Sequence, residues 1–546
     1  MLPPPGIRGT FRTDIRARAA YAEGAGIYRI LPRAVCLPAD VADLTRVVCW
    51  AADHRVSLVP RGAGSAMAGG NVGPGVILDL TGMADRRLEV DRSSRRAVTG
   101  AATTLASLNS AASQYGLRLP PDPSSGRWAT LGGMVATNAA GARSVRYGSV
   151  RSWVEALTVV TAEGELLRLR RGEAAGPTTR AVRRFVHDVA PELHGATSLI
   201  RDRFPSTRKN SSGYALDAYL RSGDLLDLVI GSEGTLGVVT DIEWRLDPIP
   251  SYRAAVRVAL RSLDQLSEAV QAMAVARPSA IELLDRSFLD LVATDTVAGT
   301  GLRFPSVEAV LLVELEREDA GSLRDALEVI TARLRSIAYS VDTAFSDLAA
   351  ERLWAIRHAA SPILAALPPS RRSLQVIEDA CVPVPRLGEY ISLVRQSAAL
   401  RGIPVVMFGH AGDGHLHVNL LPDVHQPGWE AATAGLLDEV TDAVAALGGT
   451  ISGEHGDGRL RAPSLTRIYG PEIVALFRRV KDAFDPGGVF NPGVILPDDQ
   501  PPISRLKVGT GATPLPSDIE QGLRDIEVGG GYARCRLELA GEVASH

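Results

Sequence analysis

Ser57-Leu58-Val59-Pro60-Arg61-Gly62-Ala63-Gly64-Ser65-Ala66-Met67-Ala68-Gly69-Gly70 is the stretch that decides the fold. Its first four residues read as a short β-strand, the rest as a glycine-rich loop, and a second strand follows at Val76 to Leu80. Gly62 and Gly64 fit the start of G-x-G-x-x-G, but Met67 stands where the third glycine belongs. No amphipathic helix precedes the next strand, so the βαβ unit of a Rossmann fold is missing. A strand–loop–strand can still bind phosphate. Consecutive backbone N–H groups converge as an anion nest, and the missing side chains let a pyrophosphate come close.

Two further stretches are too rich in small residues to fill a core by volume. They are Pro120-Pro121-Asp122-Pro123-Ser124-Ser125 with Ala129-Thr130-Leu131-Gly132-Gly133-Met134-Val135-Ala136-Thr137-Asn138-Ala139-Ala140-Gly141, and Val229 to Val239 around Gly231-Ser232-Glu233-Gly234. Such segments suit backbone wrapped around a flat, extended ligand. Residues 1–30 read as an irregular lead-in, and Asp40 to Asp53 as a helix capped by Asp40. Pro248-Ile249-Pro250 is a natural boundary. Beyond it, strands (Ala254–Leu260, Val307–Leu315) alternate with amphipathic helices (Leu263–Ala276, Asp319–Ser336), an α+β pattern.

Polar chemistry concentrates in Val405 to Leu420, through Gly409-His410-Ala411-Gly412-Asp413-Gly414-His415-Leu416-His417. Two β-rich arms around Ala-Gly-Asp-Gly read as a hairpin, in which His415 and His417 share a face. Ser452-Gly453-Glu454-His455-Gly456 adds a second acid-and-imidazole cluster. Imidazoles with a carboxylate suit Zn²⁺ or a similar divalent ion. The bland alternative is a set of satisfied core histidines. Three histidines within eight residues, in a chain that holds ten, weigh against it.

Length and composition set limits. At 546 residues with 45% apolar content, two or more cores are expected. A net charge of −3 points to neither a nucleic-acid surface nor a polybasic membrane anchor. Cys36, Cys49, Cys381 and Cys535 are scattered, which argues against a disulfide framework or a thiolate cluster and fits a reducing cytoplasm. No signal-peptide pattern or bilayer-length apolar run is seen, so any membrane contact is expected through a partner.

The three small-residue stretches, with Arg146-Tyr147-Gly148 and Lys209-Asn210-Ser211-Ser212-Gly213-Tyr214, resemble the PCMH-type FAD-binding domain of the vanillyl-alcohol-oxidase flavoproteins. The second half, with its Gly-His-Ala-Gly-Asp-Gly-His-Leu-His and Gly-Glu-His-Gly motifs, is similar to the FAD-linked oxidase C-terminal domain. That domain is found in D-lactate dehydrogenases, glycolate oxidase flavin subunits and D-2-hydroxyglutarate dehydrogenases. The resemblance covers roughly residues 25–497. It implies a two-subdomain FAD-binding domain over 31–248, an α+β substrate and metal domain over 249–497, and a tail over 498–546. It implies FAD held by Arg61, Gly62, Ala63, Gly64, Ser65, Pro121, Ser124, Thr130, Gly133, Asn138, Gly234, Val239 and Asn491. It also implies a divalent metal, Zn or Mn, on His410, His417 and Glu454, with His455 as the base and Arg357 on the substrate carboxylate. A lysine that D-2-hydroxyglutarate dehydrogenases carry near Glu378-Asp379 has no counterpart here, which leaves a second substrate carboxylate open.

The implied activity is oxidation of a small D-2-hydroxy acid to the 2-oxo acid. The FAD is expected to be non-covalent, because Arg61 to Gly70 contains no His or Cys. Electrons are expected to pass to a separate acceptor, an iron–sulfur protein, flavoprotein or quinone, since no grouped cysteines occur. A homodimer is compatible with the sequence. The tail reads as a docking segment for an iron–sulfur partner or the remnant of a fused domain, and equally as an ordinary solvated extension. The rival readings are a transferase like alkyl-glycerone-phosphate synthase, and a flavin-binding subunit without turnover of its own.

Overall fold

The computed structural model describes residues 5–83, 87–294, 305–358, 363–364, 367–532 and 534–541. The first half holds two sheets. One has four strands in the order Thr10–Arg12, Ala34–Leu37, Val76–Asp79, Leu58–Arg61. Leu58–Arg61 pairs parallel with Val76–Asp79, and the crossover between them carries no helix. The glycine loop therefore spans the sheet end as bare backbone, as the missing βαβ unit requires. The predicted helix is Val41–Asp53, its first turn capped by the Asp40 carboxylate accepting from Asp43 N–H. The second sheet is antiparallel, in the order Leu88–Asp91, Arg96–Gly100, Val238–Arg245, Val154–Val160, Leu166–Arg170.

The second half is built on a seven-stranded antiparallel sheet. Its order is Ser340–Ala344, Tyr252–Leu260, Ala309–Arg317, Ala280–Asp285, Val405–His410, His415–Leu420, Ala380–Cys381. Helices Leu266–Ala274 and Ala320–Leu334 supply the α layer where amphipathic spacing predicted them. The architecture is thus α+β in two parts, each with its own sheets. Buried ion pairs cross the joint. The two terminal Arg118 nitrogens meet the two oxygens of Glu316 at 2.9 Å, and the Tyr147 hydroxyl donates to the same carboxylate. Beside them, Arg143 forks onto Glu314. A bidentate guanidinium–carboxylate pair has one favoured geometry, so these contacts fix the angle between the halves.

Three segments differ from the sequence reading. The lead-in is ordered: Asp14 caps the helix Ile15–Ala20, whose Ala17, Ala19 and Ala20 are fully buried. Helix Pro471–Phe484, expected with the second half, packs onto the first: Phe477 lies against Tyr214 and Phe484 against Phe185. Phe490 then bridges in parallel to Leu58. Nor do the described residues between 498 and 541 form a solvated extension. Leu506 bridges to Tyr28, and helix Ser517–Gly529 sets Ile519 and Leu523 against Ala17, Tyr21 and Val35. The burial of that apolar stripe is what holds the segment down. Among the described residues, no helix is long and apolar enough to cross a membrane.

Candidate active site

The glycine loop, the turn at Thr130 and the segment around Gly234 converge on one groove. Arg61, Gly62, Thr130, Gly133, Gly234 and Val239 line it. Close approach explains the glycine at 62: a Cβ there would lie 2.2 Å from Thr130 Oγ1. Other predicted cofactor residues act from behind. The Arg61 guanidinium is buried and donates to the Glu23 and Asn71 carbonyls, which pins the loop. Asn491, with φ +44°, donates its amide to Gly70 O and Glu233 O and so ties two loops together. Asn138 sits in a left-handed turn, its side chain accepting from Arg151 N–H. Ser124 lines the larger cavity described below. Ala63, Gly64 and Ser65 lie in the glycine loop and Pro121 lies close before Ser124 in the chain, but none of these four lines the groove or that cavity.

Strand register assembles the polar centre. Glu282 is the cross-strand partner of His410, Phe408 of His417, and Cys381 of His415. The hairpin turns through Ala411–Asp413 and Gly414 at φ +74°, and a Cβ on Gly414 would strike Val382 O at 2.0 Å. His415 and His417 share a face, as the period of two predicts, with ring centroids 4.6 Å apart. The turn at 452–455 is pinned by Asp379, which accepts from Ser452 Oγ and from the Glu454 and His455 N–H groups.

Hydrogen bonding separates the three histidines. His410 Nδ1 is held by Glu282 and His417 Nδ1 donates to Glu378 O at 2.9 Å, so both Nε2 lone pairs turn inward. Those two Nε2 atoms are 3.3 Å apart, and Glu454 Oε1 lies 3.1 Å from one and 3.5 Å from the other. Bonds of about 2.0–2.1 Å to a tetrahedral ion place its ligand atoms about 3.3–3.4 Å apart. The donor set thus fits a divalent cation, and a carboxylate behind a ligating imidazole is the usual support for one. His415 is different. Its Nε2 donates to Asp379 Oδ1 at 2.9 Å and its Nδ1 faces the Lys209 ammonium at 3.3 Å, so neither nitrogen is free.

The surrounding charges set His415 apart from His417. Burial and the Lys209 charge push His415 down to about 3, keeping it neutral. Burial opposes protonation of His417 too, but Glu378 and Glu454 outweigh it and raise it to about 10. Burial would raise Glu454 and Glu378; instead Lys209 and His410 hold the first, and His455 and Arg461 the second, well below the usual carboxylate range. His455 Nδ1 meets Glu378 Oε2 at 2.7 Å, its ring stacks on His417, and its Nε2 lies 3.8 Å from Glu454 Oε1. Burial works against its proton, while Glu378 and Asp379 raise its pKa above the ordinary histidine value.

A cavity of about 600 Å³ opens beside this cluster, with Asp122, Ser124 and Gly141 on the first half's side and Arg357, Trp354 and His410 on the other. Arg357 donates its Nε–H to Glu282 at 2.9 Å and lies over the Phe408 ring, leaving both terminal nitrogens of its fork unbonded among the described residues. Sequence reading missed Glu282, Glu378, Asp379 and Lys209 as members of the centre. For Glu282 a signal existed: a carboxylate inside the apolar run Ala280-Ile281-Glu282-Leu283-Leu284 must be paired once buried.

Residues 32–170 match the family described as "FAD binding domain", and residues 249–495 the one described as "FAD linked oxidases, C-terminal domain". The chain is 30% identical to glycolate oxidase subunit GlcD of Bacillus subtilis over 86% of this chain and 90% of that protein. It is 30% identical to D-lactate dehydrogenase of Archaeoglobus fulgidus over 86% and 93%. D-2-hydroxyglutarate dehydrogenase of Escherichia coli is 29% identical over 94% of this chain but only 54% of that longer protein. Among solved structures, alkyldihydroxyacetonephosphate synthase shares the fold at a TM-score of 0.58 and 17% identity, over 88% of this chain and 82% of that one. Identity near 30% over nine-tenths of two relatives, with both domain families in order along the chain, makes this protein an FAD-dependent oxidoreductase of the FAD-linked oxidase family, in the group of the D-2-hydroxyacid dehydrogenases.

Proposed function

We propose that this enzyme oxidises a small D-2-hydroxy acid, of the lactate, glycolate or 2-hydroxyglutarate type, to its 2-oxo acid. The observation that carries this reading is the shared use of Glu282. One side chain joins Arg357, suited to a carboxylate, to His410, suited to a cation, on the wall of one cavity. A 2-hydroxy acid presents a carboxylate and a hydroxyl on adjacent carbons and would meet both groups at once.

Arg357 would take the carboxylate through its free fork, kept flat by Phe408 beneath it. His410, His417 and Glu454 would hold a divalent ion, Zn or Mn, which supplies Lewis acidity toward the substrate hydroxyl, while bound FAD accepts the two electrons. His455 would take the hydroxyl proton at Nε2. Its Nδ1–H is committed to Glu378, and that carboxylate stabilises the imidazolium once formed. Glu378 is itself anchored by Arg461 at 2.5 Å, so the base cannot swing away. FAD is held without a covalent bond, and a separate protein or quinone takes the electrons.

An anaerobic screen of 2-hydroxy acids, following bleaching of the bound flavin, tests the reading. Rapid bleaching by the D-enantiomer of one such acid is expected. No bleaching by any of them would leave the transferase or the non-catalytic subunit in its place. Acid precipitation should release all the flavin into solution; colour on the pellet would refute non-covalent binding.

A further inference from the structure

Lys209 comes from the first half, on the loop before helix Leu216–Ser222, yet its side chain ends among the residues of the second. An ammonium has three hydrogens, and three acceptors surround this one. They are Glu454 Oε2 at 2.8 Å, Gly141 O at 3.1 Å and His415 Nδ1 at 3.3 Å. Asp413 Oδ2 adds a negative charge at 3.8 Å. Lys209 does not line the 600 Å³ cavity; it lines a separate one of about 200 Å³. With its hydrogens committed to these acceptors and no place of its own on the wall of the substrate cavity, it acts through its neighbours and not as a substrate anchor or an acid–base group.

The ammonium divides the Glu454 carboxylate in two. Oε2 belongs to Lys209, while Oε1 is the atom within 3.5 Å of both inward-facing histidine nitrogens. A carboxylate beside a dication is free to offer one oxygen or both. Catalytic sites keep three protein ligands and an open position, which a second carboxylate oxygen would fill. Lys209 also fixes the tautomer of His415. Its donation to Nδ1 leaves the imidazole proton on Nε2, where it bonds Asp379, the side chain that pins the turn carrying Glu454.

We propose that Lys209 is a positioning residue that reserves one oxygen of Glu454, so that the carboxylate serves a divalent cation through Oε1 alone and a coordination position stays open. This rests on the reading that His410, His417 and Glu454 hold that cation. The proposal has an unusual sign. A merely structural lysine, once removed, would weaken both cation and flavin binding. Removing this one takes a positive charge from beside a ligand and frees a second oxygen, so the cation should bind as tightly as before or more tightly.

The test uses the FAD-loaded enzyme titrated with Co²⁺, read by magnetic circular dichroism, which reports coordination number and to which diamagnetic oxidised flavin adds little. Lys209→Met should retain FAD, bind Co²⁺ with a Kd at or below that of wild type, and show bands shifted toward higher coordination. Lys209→Leu, which has no hydrogen-bond donor, leaves Oε2 equally free and should give the same shift, which covers the case of a Met variant that loses FAD. Unchanged bands in a Co²⁺-binding variant overturn the proposal, as does a weakened Kd in a variant that keeps its FAD. A wild-type enzyme that binds no Co²⁺ at His410, His417 and Glu454 overturns the cation reading together with the proposal, and so is told apart from failure of the Lys209 role alone.

Discussion

Arg357 and His410 are held by opposite oxygens of one buried carboxylate: Glu282 Oε2 accepts from Arg357 Nε, and Oε1 meets His410 Nδ1. Burial would raise the pKa of Glu282, but these two partners bring it down to about 2, so it stays charged. The proposed substrate anchor and the proposed cation ligand therefore share a single support.

Glu282→Gln should damage both functions together. An amide cannot accept from both partners, and loss of a carboxylate behind a ligating imidazole typically costs about 10–100-fold in metal affinity. Metal content after dialysis and the KM for the hydroxy acid should both worsen. If one changes while the other stays at the wild-type value, the shared support is not real.

Arg357→Leu should act on binding rather than on metal retention. Truncating one partner of a desolvated charge pair costs roughly 2–5 kcal/mol. The KM for the acid should rise steeply, with little change toward a neutral alcohol or ester of the same skeleton. Equal losses for acid and ester would move the carboxylate site elsewhere.

His455→Asn should slow anaerobic flavin reduction by about 10²–10⁴-fold while metal content holds. Glu378→Gln carries a pH signature. Burial depresses the His455 pKa and Glu378 is the largest influence raising it, so removing that charge lowers it. A base works when deprotonated, so the acid limb of the kcat/KM profile should shift to lower pH in Glu378→Gln. A shift to higher pH, or none, would separate Glu378 from the base.

The closing segment should respond to acid. Burial alone would raise Glu527, but Lys507, Arg524 and Arg372 bring it to about 2, below its ordinary 4.5. A carboxylate with a depressed folded pKa stabilises fully above its unfolded value and loses that contribution as pH falls toward the folded one. Two of these three cations, Lys507 and Arg524, belong to the closing segment itself and Arg372 lies outside it, so the segment's own fold and its hold on the rest should loosen between about pH 4.5 and 2. Limited proteolysis across that window should cut there first, and Glu527→Gln should be cut readily at neutral pH. Cleavage independent of pH in the wild type would disprove the linkage.

The fold was legible where local pattern carried it. Asp40 and the apolar spacing after it marked the helix Val41–Asp53, and Met67 excluded the Rossmann reading correctly. His410, His417, Glu454 and His455 converge in space, but sequence could not assign their partners. Those partners come from register between distant strands, as with Glu282 and His410, or from the other half of the molecule, as with Lys209. The closing helix is a different case. Ile519, Leu523 and Ile526 recur at helical spacing, yet the Pro, Gly and charge around them left the reading even between a docking segment and a solvated extension.

The parallel bridge from Phe490 to Leu58 has a consequence for how the chain is made. Val489 and Phe490 complete the same apolar cluster as Ala34, Leu44 and Leu58, and Asn491 braces the glycine loop. A nascent chain that has left the ribosome only as far as residue 248 carries the glycine loop without those braces. N-terminal domains usually fold first during synthesis; this one must wait for residues translated some 240 codons later. A loop completed so late would capture flavin only once nearly all of the polypeptide exists, and a prematurely released fragment would hold the cofactor poorly.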